Sequence, residues 1–276
     1  MKLNRLALAC GIALATVAGQ AAAQAKCGET GYDVYSCAAD VGYDMIYLTG
    51  ASAPDNFLET TITSWLDTGY TKITDDSSNY RAFVGRTKNA APVPAAHRNK
   101  SIRFIKRSAG GSVWGVNPVA RDEFVRVLDV KNTTGNCSVT APRTCPLIGA
   151  DGVSGLKPTF GVSDVSPKMF KSPLNVEWDK VAGTTVSQLS ASETNALTIK
   201  AANTLMMGIV ATDVVPATTN FTRSVYGDLL RSGGYADWSQ VDPALTAPGG
   251  PLEAKPQVVV CRRVPGSGTQ TSYNWF

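Results

Sequence analysis

The sequence predicts an α/β fold with a largely parallel sheet, and three observations carry that reading. Short β-competent runs alternate along the chain with segments of helical spacing. One of those segments, which starts near Asp55, places Leu58, Ile62, Trp65 and Leu66 on a single apolar face. Polar, glycine-rich motifs follow the strand-like runs, the position at which open α/β sheets bind ligands.

The elements follow in order. Residues 1–25 carry Lys2 and Arg5, an apolar run from Leu6 to Val17, and small residues ending at Ala23 and Ala25. This pattern reads as a cleaved secretory signal peptide, so the expected location is periplasmic or secreted. The run is too short for a confident membrane span, and Cys10 sits in a poor lipobox. Residues 26–200 read as a first lobe, opening with a small Cys-, Gly- and Tyr-containing segment.

Met45–Leu48 is a strand. Thr49–Asp55 turns into the helix, with Ser52 and Asp55 placed as a capping box and Pro54 early in the first turn. Residues 70–100 read as a strand and loops. Ser101–Ile105 alternates as the next strand, and Arg107-Ser-Ala-Gly-Gly111 leads to a short helix ending near Asn117–Pro118. Phe124–Val130 alternates again. A loop-rich stretch at about 117–159 reads as an insertion, and Phe160–Pro167 as a strand end and turn.

Residues 201–276 read as the start of a second lobe. Within them 203–214 is expected as a buried strand, Thr222–Arg231 as a short helix, and Pro243–Pro256 as a linker. Val258–Val260 is expected as a buried strand. Arg262 and Arg263 stand at its end, and a Pro265–Thr269 turn opens a helix from Gln270.

Charge and cysteines bound the function. The formal charge is +4 and falls to +2 without Lys2 and Arg5, which is too weak to argue for nucleic acid. Arg98, Lys100, Arg103, Lys106 and Arg107 cluster and read first as a solvated strand face, with attraction of an anion as the alternative. Removing the leader leaves Cys27, Cys37, Cys137, Cys145 and Cys261. The local pairs Cys27–Cys37 and Cys137–Cys145 are the expected disulfides, with Cys261 left over. A single histidine, His97, argues against zinc, and no metal or cofactor is expected.

The C-terminal stretch carries the chemistry. N–H groups at a helix start have no intrahelical acceptor and bear partial positive charge. Glycines there allow an oxyanion to approach, hydroxyls donate to it, and an arginine clamps it. Arg263, Ser267, Gly268 and Thr269 supply that set. Read singly, Ser267 and Thr269 are helix caps, Ser108 an N-cap, Asp164 a turn cap, and Arg263 an ion-pair partner.

Four motifs in order, Leu48-Thr-Gly-Ala-Ser-Ala-Pro54, Arg107-Ser-Ala-Gly-Gly111, Phe160-Gly-Val-Ser-Asp-Val165 and Arg262-Arg-Val-Pro-Gly-Ser-Gly-Thr269, resemble the periplasmic phosphate-binding protein of ABC transporters. A fifth stretch, Asn220–Val241, is similar to that family's run ahead of the arginine motif. The resemblance implies a type II periplasmic-binding fold, a mixed sheet with helices on both faces, here with its second lobe incomplete. It also implies a non-catalytic protein that captures inorganic phosphate or a similar oxyanion for an inner-membrane ABC permease.

By the same resemblance Arg263 clamps the anion, Ser267 and Thr269 donate hydroxyls, and Gly268 donates an N–H. Ser108 donates from the first lobe, and Ser52 and Ala53 belong to the first anion-binding turn. Asp164 accepts the proton of monohydrogen phosphate and so rejects sulfate, which has none at neutral pH. The chain departs from the family where Pro54 and Asp55 replace a Thr-Phe pair, where Pro265 replaces an acidic residue, and in the long stretch between Gly111 and Phe160.

Two other classes compete. An exported binding or surface protein on the same fold, outside transport, is motivated by the cystine-bearing insertion. A hydrolase is disfavoured, since Pro-Gly-Ser-Gly-Thr is not a Gly-x-Ser-x-Gly elbow and only His97 could serve a triad.

Overall fold

A computed structural model describes residues 43–275 apart from 133, 141–142, 172–174, 177–186, 203 and 231–233. The expected signal peptide and the Cys27–Cys37 pair lie outside the described residues. Among the described residues two compact units are present, one from 43 to 205 together with 265–275, the other from 206 to 264.

In the first unit, β1 (Tyr43–Gly50) leads through a turn into α1 (Asp55–Trp65), then β2 (Thr71–Thr74), β3 (Tyr80–Arg86) and β4 (Ser101–Arg107). A 3-10 helix at Ser112–Gly115 precedes α2 (Asn117–Arg121). Four short strands follow, β5 (Val127–Leu128), β6 (Arg143–Thr144), β7 (Leu147–Ile148) and β8 (Phe160–Val162), and then α3 (Ala191–Ala196). The six-stranded sheet has the order β6-β2-β3-β4-β1-β8. The pairs β6–β2, β4–β1 and β1–β8 are parallel, whereas β2–β3 and β3–β4 are antiparallel. The fold is therefore α/β with a mixed sheet; the short β2–β3 connection allows antiparallel pairing without a crossover.

Strand alternation divides the core between the two sheet faces. Ile46, Phe83, Ile102 and Phe104 face α1 and pack on Ile62, Trp65 and Leu66. Tyr47, Ile73, Tyr80, Ala82 and Ile105 face the other way. That second face is closed by Val125, Val127, Leu128 and Leu156, from the stretch expected as an insertion. The stretch is thus integral to the core, and β6 extends the sheet edge beside β2. The Cys137–Cys145 disulfide is formed within it.

The second unit holds α4 (Arg223–Leu230) and a small cluster of Val215, Trp238, Leu245 and Leu252. Two expected strands, 203–214 and 258–260, do not form among the described residues. Residues 204–212 have no regular structure, with Met206 99 % and Val210 93 % exposed. Val258–Val260 is likewise not a strand: a single bridge joins Gln257 to Asp237, and Val259 is 78 % exposed. Both runs have β-propensity, but a strand also requires a partner edge. Cys261 is free and exposed. The final element, α5 (Gly268–Trp275), packs in the first unit.

Candidate functional site

The parallel strands β4, β1 and β8 end together, with Thr49 beside Arg107 and Gly161. Their C-terminal ends carry the Ala51–Pro54, Ser108–Gly111 and Ser163–Asp164 turns. Close backbone approach makes this edge compact. A Cβ on Gly161 would fall 1.6 Å from the Gly115 carbonyl oxygen, and one on Gly115 would fall 2.1 Å from the Val162 oxygen. Only glycine fits at these positions, so the Ser112–Gly115 helix sits directly on the ends of β1 and β8.

That seating places Ser112 beside Asp164. The Ser112 hydroxyl donates to Asp164 Oδ2 at 3.2 Å, and the Asp164 N–H lies 3.3 Å from Ser112 Oγ. The start of α5 closes against both. The Val113 N–H donates to the Gly266 carbonyl at 2.9 Å, and the Gly266 N–H to the Asn175 carbonyl at 3.0 Å. A Cβ on Gly268 would stand 2.3 Å from Ser112 Oγ and 2.8 Å from Asp164 Cβ. Ser267 is buried and its Oγ accepts the Gln270 N–H at 3.4 Å, capping α5. The far end is fixed by Asn274 Nδ2 donating to Asn175 Oδ1 at 2.6 Å and Trp275 Nε1 to the Met169 carbonyl at 3.0 Å.

A second network lies at the ends of β1 and β4. Lys106 is 2 % exposed, so the expectation of a solvated basic face fails for it and for the equally buried Arg107. Lys106 Nζ donates to the Gly50 carbonyl at 3.2 Å, the Ala51 carbonyl at 3.0 Å, the Arg107 carbonyl at 2.7 Å and Ser108 Oγ at 2.9 Å. It stands 3.4 Å from Asp55 Oδ1. Ser108 Oγ donates to Asp55 Oδ2 at 2.6 Å, and Arg81 approaches the same carboxylate at 3.6 Å. Burial lowers the Lys106 pKa to about 8, against the upward pull of Asp55. Arg107 stacks on Trp114, 4.0 Å from the ring centroid, and pairs with Asp151.

The predicted residues separate accordingly. Asp164, Ser267 and Gly268 come together, with half-buried Thr269 next in α5. Ser108 is buried and its proton is committed to Asp55. Ser52 and Ala53 are exposed on the β1–α1 turn. The expected capping box is absent: Pro54 is the N-cap with no side-chain bond, and Asp55 turns inward to Lys106. Arg263 is exposed and belongs to the second unit.

Sequence reasoning missed Ser112, although a serine directly after two glycines was the available signal. The Asp55–Lys106 pair was also missed, because the two residues are 51 positions apart. Two further hydroxyls, Thr49 Oγ1 and Thr271 Oγ1, are buried without a hydrogen-bond partner among the described residues. His97 lies in a 3-10 helix, Ala95–His97. Among the described residues no helix is long and apolar enough to cross a membrane, and no cluster of three His, Cys, Asp or Glu is placed to hold a metal.

No family model, no curated protein and no solved structure matches this chain.

Proposed function

We propose that this chain is an exported, non-catalytic solute-binding protein on a type II periplasmic-binding-like fold. It captures inorganic phosphate or a related oxyanion for an inner-membrane ABC permease. The observation that carries the reading is the approach of the α5 N-terminus to Ser112 and Asp164 at the ends of the parallel strands. Helix-start N–H groups favour an anion, and Ser112 adds a hydroxyl. A carboxylate in that place repels an anion unless the anion brings a proton, so Asp164 selects monohydrogen phosphate over sulfate.

The commitment of Ser108 to Asp55 favours a second reading, an exported binding or surface protein outside transport, because it removes one donor that the phosphate-transport resemblance implies. Titration calorimetry of the full mature chain with phosphate, and with sulfate as control, tests the site. The expected result is one phosphate per chain, no sulfate response, and loss of selectivity in Asp164→Asn. Equal binding of both anions by the wild type would remove Asp164 from the site.

A further inference from the structure

Lys106 is the most thoroughly enclosed cation at the strand ends. Its ammonium has three protons and four acceptors within 3.2 Å: the Gly50, Ala51 and Arg107 carbonyls and Ser108 Oγ. Asp55 of α1 faces it at 3.4 Å, and Arg81 of β3 approaches that carboxylate from the other side. Asp164, in the turn after β8, acts on it electrostatically and stabilises its charged form. Arg107, its neighbour on β4, is held by Asp151. The charged lysine therefore ties together the β1–α1 turn, Ser108 and α1, and offsets the buried Asp55 carboxylate.

Resting on the oxyanion reading above, we infer that Lys106 is a positioning residue of the anion site: its buried positive charge holds the strand-end turns in register and counters Asp55 and Asp164, so that anion capture requires it protonated. Removing the proton takes away the charge that counters Asp164, leaves Asp55 with Arg81 as its cation, and loosens the hold on the Gly50 and Ala51 carbonyls. Its lowered pKa places that change just above neutral pH. An arginine carries its charge throughout this range, and a methionine never does.

The test is phosphate affinity, by calorimetry on the full mature chain, from about pH 7.5 to about pH 9.5, expressed per monohydrogen phosphate because dihydrogen phosphate is still present at the low end of the range. Wild type, Lys106→Arg and Lys106→Met are compared, with near-ultraviolet circular dichroism as a check on folding. The wild type is expected to lose affinity on the order of tenfold across this range. Lys106→Arg is expected to hold its affinity level, and Lys106→Met to bind weakly and without a pH trend. Should arginine not be accommodated, a fall in the wild type with none in the methionine variant supports the inference. The same fall in Lys106→Arg as in the wild type, or wild-type affinity in Lys106→Met, overturns it. An absence of phosphate binding by the wild type at every pH overturns the oxyanion reading itself, and this inference with it.

Discussion

Gly161→Ala is the sharpest probe of how the site is seated. Its Cβ would meet the Gly115 oxygen at 1.6 Å, the Gly115 carbonyl carbon at 2.6 Å and Val119 Cγ2 at 3.2 Å. Non-bonded heavy atoms settle at about 3.5 Å, so relief requires the Ser112–Gly115 helix to retreat by roughly 2 Å. The obstacle is backbone, which no side-chain rotation can clear. Overpacking of this kind costs about 1–3 kcal/mol. The retreat also strains the Val113–Gly266 hydrogen bond, worth about 1 kcal/mol. The expected destabilisation is thus about 3 kcal/mol, or a Tm lower by roughly 10 °C for a unit of this size. Urea and thermal unfolding followed by circular dichroism measure it. Gly208→Ala, which meets nothing within 4 Å, serves as the control. A Gly161→Ala loss below about 1 kcal/mol would refute the close-approach argument.

The remaining predictions concern neighbouring features. Gly268→Ala pushes a methyl against Ser112 Oγ and Asp164, so phosphate affinity is expected to fall at least tenfold by calorimetry while Gly208→Ala leaves it unchanged; equal affinities would place the ligand elsewhere. Replacing both Cys137 and Cys145 by alanine opens a short cross-link and is expected to lower stability by about 2 kcal/mol in urea unfolding, an effect that dithiothreitol reproduces in the wild type. Hydrogen bonds from Arg121 and from the Ser190 backbone hold the Glu193 pKa down to about 2. A depressed carboxyl stabilises the fold above its unfolded pKa and loses that contribution as pH falls through the folded value. Glu193→Gln is therefore expected to be less stable than the wild type at pH 7 and to match it near pH 2; a constant difference across that range would sink the assignment.

Local pattern was sufficient where burial is periodic. β1, β4 and the face of α1 could be read because alternating or helically spaced apolar residues report which side is dry. The same logic failed at 203–214 and 258–260, since an apolar run states a propensity and not the presence of a pairing edge. Lys106 was misread for the complementary reason. A charged residue in a strand reads as solvated, and the carboxylate that offsets its burial comes from a helix start early in the chain. At the site itself, glycines and hydroxyls were visible in the sequence, but not which ones meet. That Ser112, and not Ser108, stands against Asp164 depends on the Gly111 turn, at φ 77°, and on the glycine contacts below it.

The chain leaves the first unit after residue 205 and comes back to it at 265 to lay down α5. Residues 206–264 are thus an excursion anchored at both ends, and α5 is bound to Asn175, Met169 and the 110–113 turn by contacts independent of the covalent path that delivers it. A protease cut in the exposed run around Met206 or Val259 would sever the connection without undoing those contacts. The nicked protein would retain α5 as a non-covalent peptide, and the site's composition would survive the break as a complemented pair of fragments.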